Sequence, residues 1–204
     1  MSVHESTKIN NFIFNNFEIT SQESMIIKSL EKFYEDNTNI QIFIPIINSQ
    51  SKISIRLIDY FITKYSKNNK INYKFKDSNN IEQVFNIYTS YKQQLKAFQK
   101  KHFDPFSRGD RIPYFMNDDY IITTIGQLNF FRWFISKKIY NYIIENQDII
   151  EYDMNKKKKV ESKIKKATIK KYTNYITNSI QYKNNRVLSV QEPKTEKIIV
   201  SFTF

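Results

Sequence analysis

A chain of 204 residues has the length of one domain and buries a real hydrophobic core. The absence of cysteine excludes disulfides, thiolate zinc sites and cysteine nucleophiles. A net charge of +12 and a pI near 9.6 attract polyanions, nucleic acid foremost, with plain solubility as the bland alternative.

Seventeen Phe and fourteen Tyr supply large core surfaces and argue against disorder over most of the chain. The start, MSVHESTKIN, has no apolar h-region, and every apolar run is interrupted by Lys, Arg, Asp or Asn well short of a membrane span. A soluble protein without a membrane partner is expected. Abundant Asn, Ile and Lys beside only two Gly is what AT-rich codons produce, so part of the lysine excess reflects mutational bias.

Along the chain, residues 1–22 read as a polar arm carrying Phe12, Ile13, Phe14 and Phe17, which lays a short strand on the domain or frays. Met25, Ile26, Leu30 and Phe33 recur at helical spacing between Ser24 and Tyr34. The β-branched run 40–47 is predicted as a strand, with Pro45 placing it at an edge or marking the strand's end. Ile55, Ile58, Ile62 and Tyr65 predict an amphipathic helix over 54–67, with Arg56 and Asp59 as a surface ion pair. Residues 71–76 alternate as a strand. Val84, Ile87, Tyr91, Leu95 and Phe98 predict helix over 82–101, and Pro105 and Gly109 then impose a structured loop.

Residues 111–124 read as a β-hairpin around Asn117, Asp118 and Asp119. Gly126 opens a helix predicted over 127–150, with Leu128, Phe131, Ile135, Tyr142 and Ile143 on one face and Phe130, Trp133 and Phe134 widening it. Between Lys156 and Lys171 stand nine lysines against Glu161 alone, a local charge of +8 out of +12. Residues 197–204 end the chain as a predicted strand. The expected fold class is α+β: a small mixed or antiparallel sheet with a β-hairpin, packed by three to four helices, plus a lysine-rich C-terminal helical tail. The expected divisions are an arm (1–22), a compact domain (23–155), a lysine-rich helix or linker (156–185) and a terminal strand segment (186–204).

Two regions carry candidate chemistry. Residues 91–111 interleave cations with rings, as single-stranded nucleic acid requires. There Lys96, Lys100, Lys101, Arg108 and Arg111 would meet phosphates and Phe98, Phe103 and Phe106 would stack bases. The competing reading is an aromatic core flanked by solvated lysines. In the tail, Lys156, Lys157, Lys158, Lys159, Lys163, Lys165 and Lys166 would release counterions on meeting phosphate, giving salt-sensitive, sequence-independent affinity.

His102, Asp104 and Asp110 are the residues a metal-dependent nuclease would have to use, but Asp104 before Pro105 more often orders a turn and Asp110 pairs with a neighbouring arginine. Asp118 and Asp119 at the hairpin tip read as solvated. No Walker loop, G-x-S-x-G elbow, G-x-G-x-x-G turn or H-E-x-x-H helix is present, and Gly109 and Gly126 are the only glycines. Neither a cofactor nor a bound metal is expected.

The segments SIRLIDYFITKYSKNN, YKQQLKAFQKKHFDPFSRGDRI and TTIGQLNFFRWFI together resemble a family of uncharacterised proteins encoded by giant nucleocytoplasmic DNA viruses, over residues 38–155. The AT-rich composition suits a mimivirus-like genome. Members of that family carry a lysine-rich stretch after this region and a short apolar end. The resemblance implies a viral protein made in an infected protist, in the host cytoplasm (viral factory) or the virion. It brings no known activity and no catalytic residues. Gly109 stands where many relatives have a basic residue, so the loop is not read as a strict arginine clamp.

The leading expectation is a non-enzymatic viral nucleic-acid-binding protein for DNA or RNA, acting in genome packaging or gene expression. A virion or host-protein interaction component is the alternative, and a metal-dependent nuclease the third reading.

Overall fold

The computed structural model describes residues 3–15, 19–76, 80–116 and 119–187. The chain divides into two compact units, Met1–Asn155 and Lys156–Phe204. It is α+β, with more helix than the periodicity alone predicts.

Of the N-terminal arm, residues Val3–Asn15 form helix α1, not a strand. The reason is visible at Asn10, which is buried. Its side-chain amide donates to the Phe115 carbonyl at 2.8 Å and its oxygen accepts from the Phe115 N–H at 2.8 Å. One asparagine thus supplies both hydrogen bonds that a neighbouring strand would have provided, and a strand edge is covered by a helix.

Helix α2 (Ser21–Tyr34) starts at a capping box: the Thr20 hydroxyl accepts from the Glu23 N–H while the Glu23 carboxylate accepts from the Thr20 N–H. Ile26, Ile27, Leu30 and Tyr34 are buried along it, and Met25 is turned to solvent.

Residues 40–47, expected as an edge strand, belong to helix α3 (Asn37–Ile47). Asp36 caps it by accepting from the Thr38 N–H at 2.9 Å, and Ile40, Phe43 and Ile46 are buried at three-residue intervals. A short apolar run does not separate helix from strand by itself. Pro45 falls in the last turn, and its carbonyl, one of the groups a helix end leaves without an intrahelical partner, accepts from the N–H groups of Gln50 and Ser51.

The helix expected at 54–67 is present as α4 (Ile55–Tyr60), a π-helical turn (Phe61–Tyr65) and α5 (Ser66–Asn68). Two hydroxyls, one within the wider turn and one just after it, bond back up the helix, Thr63 to the Asp59 carbonyl and Ser66 to the Ile62 carbonyl, each at 2.7 Å.

Strand β1 (Asn72–Lys76) pairs antiparallel with β2 (Glu82–Asn86), with Lys74 opposite Val84. This corrects the helix expected to begin at 82. Asn86 caps the following helix by accepting from the Thr89 N–H, so helix α6 runs only over Ile87–Phe98. Val84, placed by periodicity on a buried face, is exposed, while Phe75 and Phe85 are buried.

The second hairpin is as expected: β3 (Ile112–Met116) pairs antiparallel with β4 (Asp119–Thr123), Tyr114 opposite Ile121. Helix α7 (Ile125–Ser136) is the centre of the core, with Leu128, Phe130, Phe131, Trp133, Phe134 and Ile135 all buried. A helix buried on nearly every side is enclosed by other elements, here including α2, α3 and helix α8 (Ile139–Glu145). Lys138, in the left-handed region at φ 56°, separates α7 from α8 and divides the single helix expected at 127–150.

Helix α9 (Gln147–Val187) begins in the first unit and continues into the second. Tyr60 donates to the Asp153 carboxylate at 2.5 Å, joining α4 to the first turns of α9. Tyr60→Phe is expected to lower stability by about 1 kcal/mol, read from urea midpoints. The strand expected at 197–204 lies outside the described residues, and so does Asp118 of the hairpin tip.

Candidate nucleic-acid interface

Between α6 and β3 the chain crosses the N-terminus of α7, and buried polar groups hold it there. The Asn129 amide donates to the His102 carbonyl at 2.8 Å, the Gln127 amide to the Pro105 carbonyl at 2.8 Å, and the Asp104 N–H to the Gly126 carbonyl at 3.2 Å. Phe103 at its centre is fully buried, against Phe98, Phe130 and Trp133. The ring expected to stack a base is therefore core.

Two of the five cations in this region already have carboxylate partners. Lys101 Nζ lies 3.0 Å from Glu23 Oε1, and Arg108 holds Asp104 in a fork at 2.8 and 2.7 Å while its guanidinium covers the Phe106 ring. Lys96, Lys100 and Arg111 are exposed.

His102 and Asp104 are both buried, but their side chains serve different partners. His102 Nε2 is 2.8 Å from Glu23 Oε1, whereas Asp104 binds Arg108. Asp110 is exposed. Among the described residues no group of three or more His, Asp or Glu is placed to hold a metal ion.

Glu23 is the electrostatic centre of this corner. Burial pushes its carboxyl up, but bonds from the Thr20 N–H, His102, the Thr20 hydroxyl and Lys101 outweigh it and hold the group at about 2.

Asp59 is not the surface partner of Arg56. It is half-buried, and its carboxyl is raised by burial and by the nearby Asp104 charge against the opposing pull of Arg108. Its i,i+3 spacing from an arginine concealed an inward face.

In the second unit Lys156, Lys158, Lys159, Lys163, Lys165 and Lys166 are exposed and Lys157 is half-buried. Their helical placement sorts them. Lys156, Lys159, Lys163, Lys166 and Lys170 are spaced three, four, three and four, so they form one stripe of exposed ammonium groups about 21 Å long. Lys157, Lys158, Lys165 and Lys171 lie elsewhere around the helix. The sequence shortlist stopped at Lys166 and missed Lys170, although the three-and-four spacing that completes the stripe is readable from the residues alone.

A further cation escaped the sequence reading. Arg132, inside the apolar NFFRWFI segment, is half-buried, and Nη2 donates to the Asn129 side-chain oxygen at 2.8 Å. Burial lowers its pKa from the ordinary guanidinium value. The only sequence signal was an arginine in a run otherwise destined for the core.

Residues 4–202 match the family described as a family of unknown function, DUF7197, and the chain belongs to that family. Among its relatives is "Uncharacterized protein L507" of Acanthamoeba polyphaga mimivirus, 35% identical over 174 residues, which cover 82% of this chain and 66% of that protein. The resemblance to an uncharacterised giant-virus family is thereby borne out. No solved structure matches the chain.

Among the described residues no helix is long and apolar enough to cross a membrane.

Proposed function

We propose that this giant-virus protein is a non-enzymatic, sequence-independent nucleic-acid-binding protein that acts in genome packaging or gene expression, in the host cytoplasm or the virion. The observation that carries this reading is the stripe Lys156, Lys159, Lys163, Lys166 and Lys170 on α9. Its lysines recur about every 5 Å along the helix, close enough for each to meet a different phosphate of a strand. Lys96, Lys100 and Arg111 add secondary contacts. Lys101 and Arg108 contribute less, because each would have to leave a carboxylate.

Each phosphate neutralised on duplex DNA adds about −0.9 to the slope of log K against log salt, so five contacts predict a slope of about −4.5. Fluorescence anisotropy with a labelled duplex and a labelled single strand measures this slope. Replacing the five stripe lysines with glutamine, which keeps helix propensity, is expected to flatten it by about 4 and to abolish binding near physiological salt. Replacing Lys157, Lys158, Lys165 and Lys171 instead should have the smaller effect. Equal retention of the stripe variant on nucleic acid at low salt overturns the reading.

One observation favours a second reading, a virion or host-protein interaction component. Ile164, Ile169 and Tyr172 are exposed on α9 and present apolar surface to a partner. Association that survives nuclease treatment and persists in the stripe variant, but is lost when these three are replaced, would favour it.

A further inference from the structure

An open groove of about 500 Å³ lies in the first unit between α2, α6 and α7, within the size range of small-molecule sites. Three cations line it, Lys32, Arg132 and Lys137, together with Phe33, Gln94, Ser136 and the buried Trp133. Among the described residues no carboxylate lines it.

None of the three cations has a carboxylate within ion-pair distance among the described residues. Arg132 is the informative one. Half-buried guanidinium groups are ordinarily matched to an acid, because desolvating an unpaired charge is costly. Here its one protein partner is the neutral oxygen of Asn129, whose own amide is anchored on the His102 carbonyl. A fully buried amide therefore aims the guanidinium while leaving its charge and most of its donors unspent. Lys137 is held over the rings of Phe75 and Phe85 at 5.3 and 5.7 Å, which fixes its position without neutralising it.

A blander account assigns Arg132 and Lys137 to the negative end of the α7 dipole. That interaction is weak near the surface and is served by any exposed lysine. It extends to Lys32, in the last turn of α2, but it does not explain the amide that orients Arg132 or the lack of an acid among the lining residues.

We infer that this groove binds a nucleoside monophosphate. Arg132, Lys32 and Lys137 take the phosphate, Arg132 by its planar fork. Gln94 and Ser136 supply hydrogen bonds to the sugar or base, and the half-buried Phe33 ring packs the base. This site is separate from the α9 stripe, and neither depends on the other.

Trp133 is the one tryptophan of the chain, so its fluorescence reports occupancy directly. The full chain is titrated with AMP, inorganic phosphate and adenosine, with calorimetry as the second readout. AMP is expected to give a saturable change at micromolar to millimolar concentration. Phosphate should compete more weakly and adenosine should give no saturation. Arg132→Gln is expected to weaken AMP at least about ten-fold. Lys32→Gln, at an exposed position, should weaken it several-fold in a chain whose fold is undisturbed. The variant lacking the five α9 lysines should bind AMP as the unaltered chain does. Absence of a saturable response to AMP, or equal affinity in Arg132→Gln and Lys32→Gln, overturns the site. Phosphate binding as tightly as AMP overturns its assignment to a nucleotide.

Discussion

Replacing Glu23 with glutamine is expected to destabilise the first unit by about 3 kcal/mol at neutral pH, the largest single-residue effect proposed for this chain. The carboxylate accepts from the Thr20 N–H at 3.0 Å and the Thr20 hydroxyl at 2.8 Å through one oxygen, and lies 2.8 Å from His102 and 3.0 Å from Lys101 through the other. A glutamine has one acceptor and one NH₂. If its oxygen keeps Thr20, its NH₂ faces the Lys101 ammonium. If the amide is turned, the Thr20 N–H faces another donor. Either way the helix start or the tether to the 101–106 segment is lost, and charge-assisted bonds are the strong ones.

The pH dependence identifies the cause. Glu23 is held at about 2 against an ordinary 4.5. A carboxyl depressed by folding adds stability that is complete above the unfolded value and disappears as pH falls through the folded one. The stability difference between the unaltered chain and Glu23→Gln should therefore be constant above about pH 5 and shrink towards zero near pH 2. Urea unfolding across that range measures it. A difference that does not change with pH would assign the loss to packing instead of to the carboxylate.

Gly126→Ala is the second large effect. An alanine is ordinarily worth about 1 kcal/mol over glycine inside a helix, and Gly126 does not have a positive φ, so propensity alone favours the change. Geometry forbids it. A Cβ at 126 would lie 2.7 Å from the Lys101 carbonyl oxygen and 3.3 Å from the Phe103 nitrogen. Both are main-chain atoms of a segment fastened by Asn129 and Gln127, so no flexible side chain can swing away. Overpacking of this kind costs about 3 kcal/mol, and a net loss of about 2 kcal/mol is expected. Gly109→Ala is the control. Its nearest contacts are ordinary ones at 3.9 Å, and its midpoint should be unchanged within error. Equal midpoints for the two variants would show that the 101–103 segment yields.

Several elements were readable from local signals alone. Apolar residues at helical spacing marked α4 and α7, alternation marked β1, the 111–124 pattern marked the β3–β4 hairpin, and the lysine cluster of α9 stood out by count. Three failures share one cause. At α1, α3 and β2 the residues fitted two periodicities equally, and a long-range contact chose between them: Asn10 against the β3 backbone, Phe43 against Phe131, and the β1 strand alongside β2.

The candidate sites divide the same way. A helix makes neighbours of residues three and four apart, so the exposed lysine stripe follows from spacing in the chain. Glu23 and His102 are 79 positions apart, and the groove around Arg132 takes residues from three helices. Neither arrangement is written in any local pattern, because burial assembles them by folding distant segments onto one core. That core also withdrew Phe103 from the stacking role its neighbours in the sequence implied, and left Arg132, which looked like a stray charge in an apolar run, facing a groove without an acid.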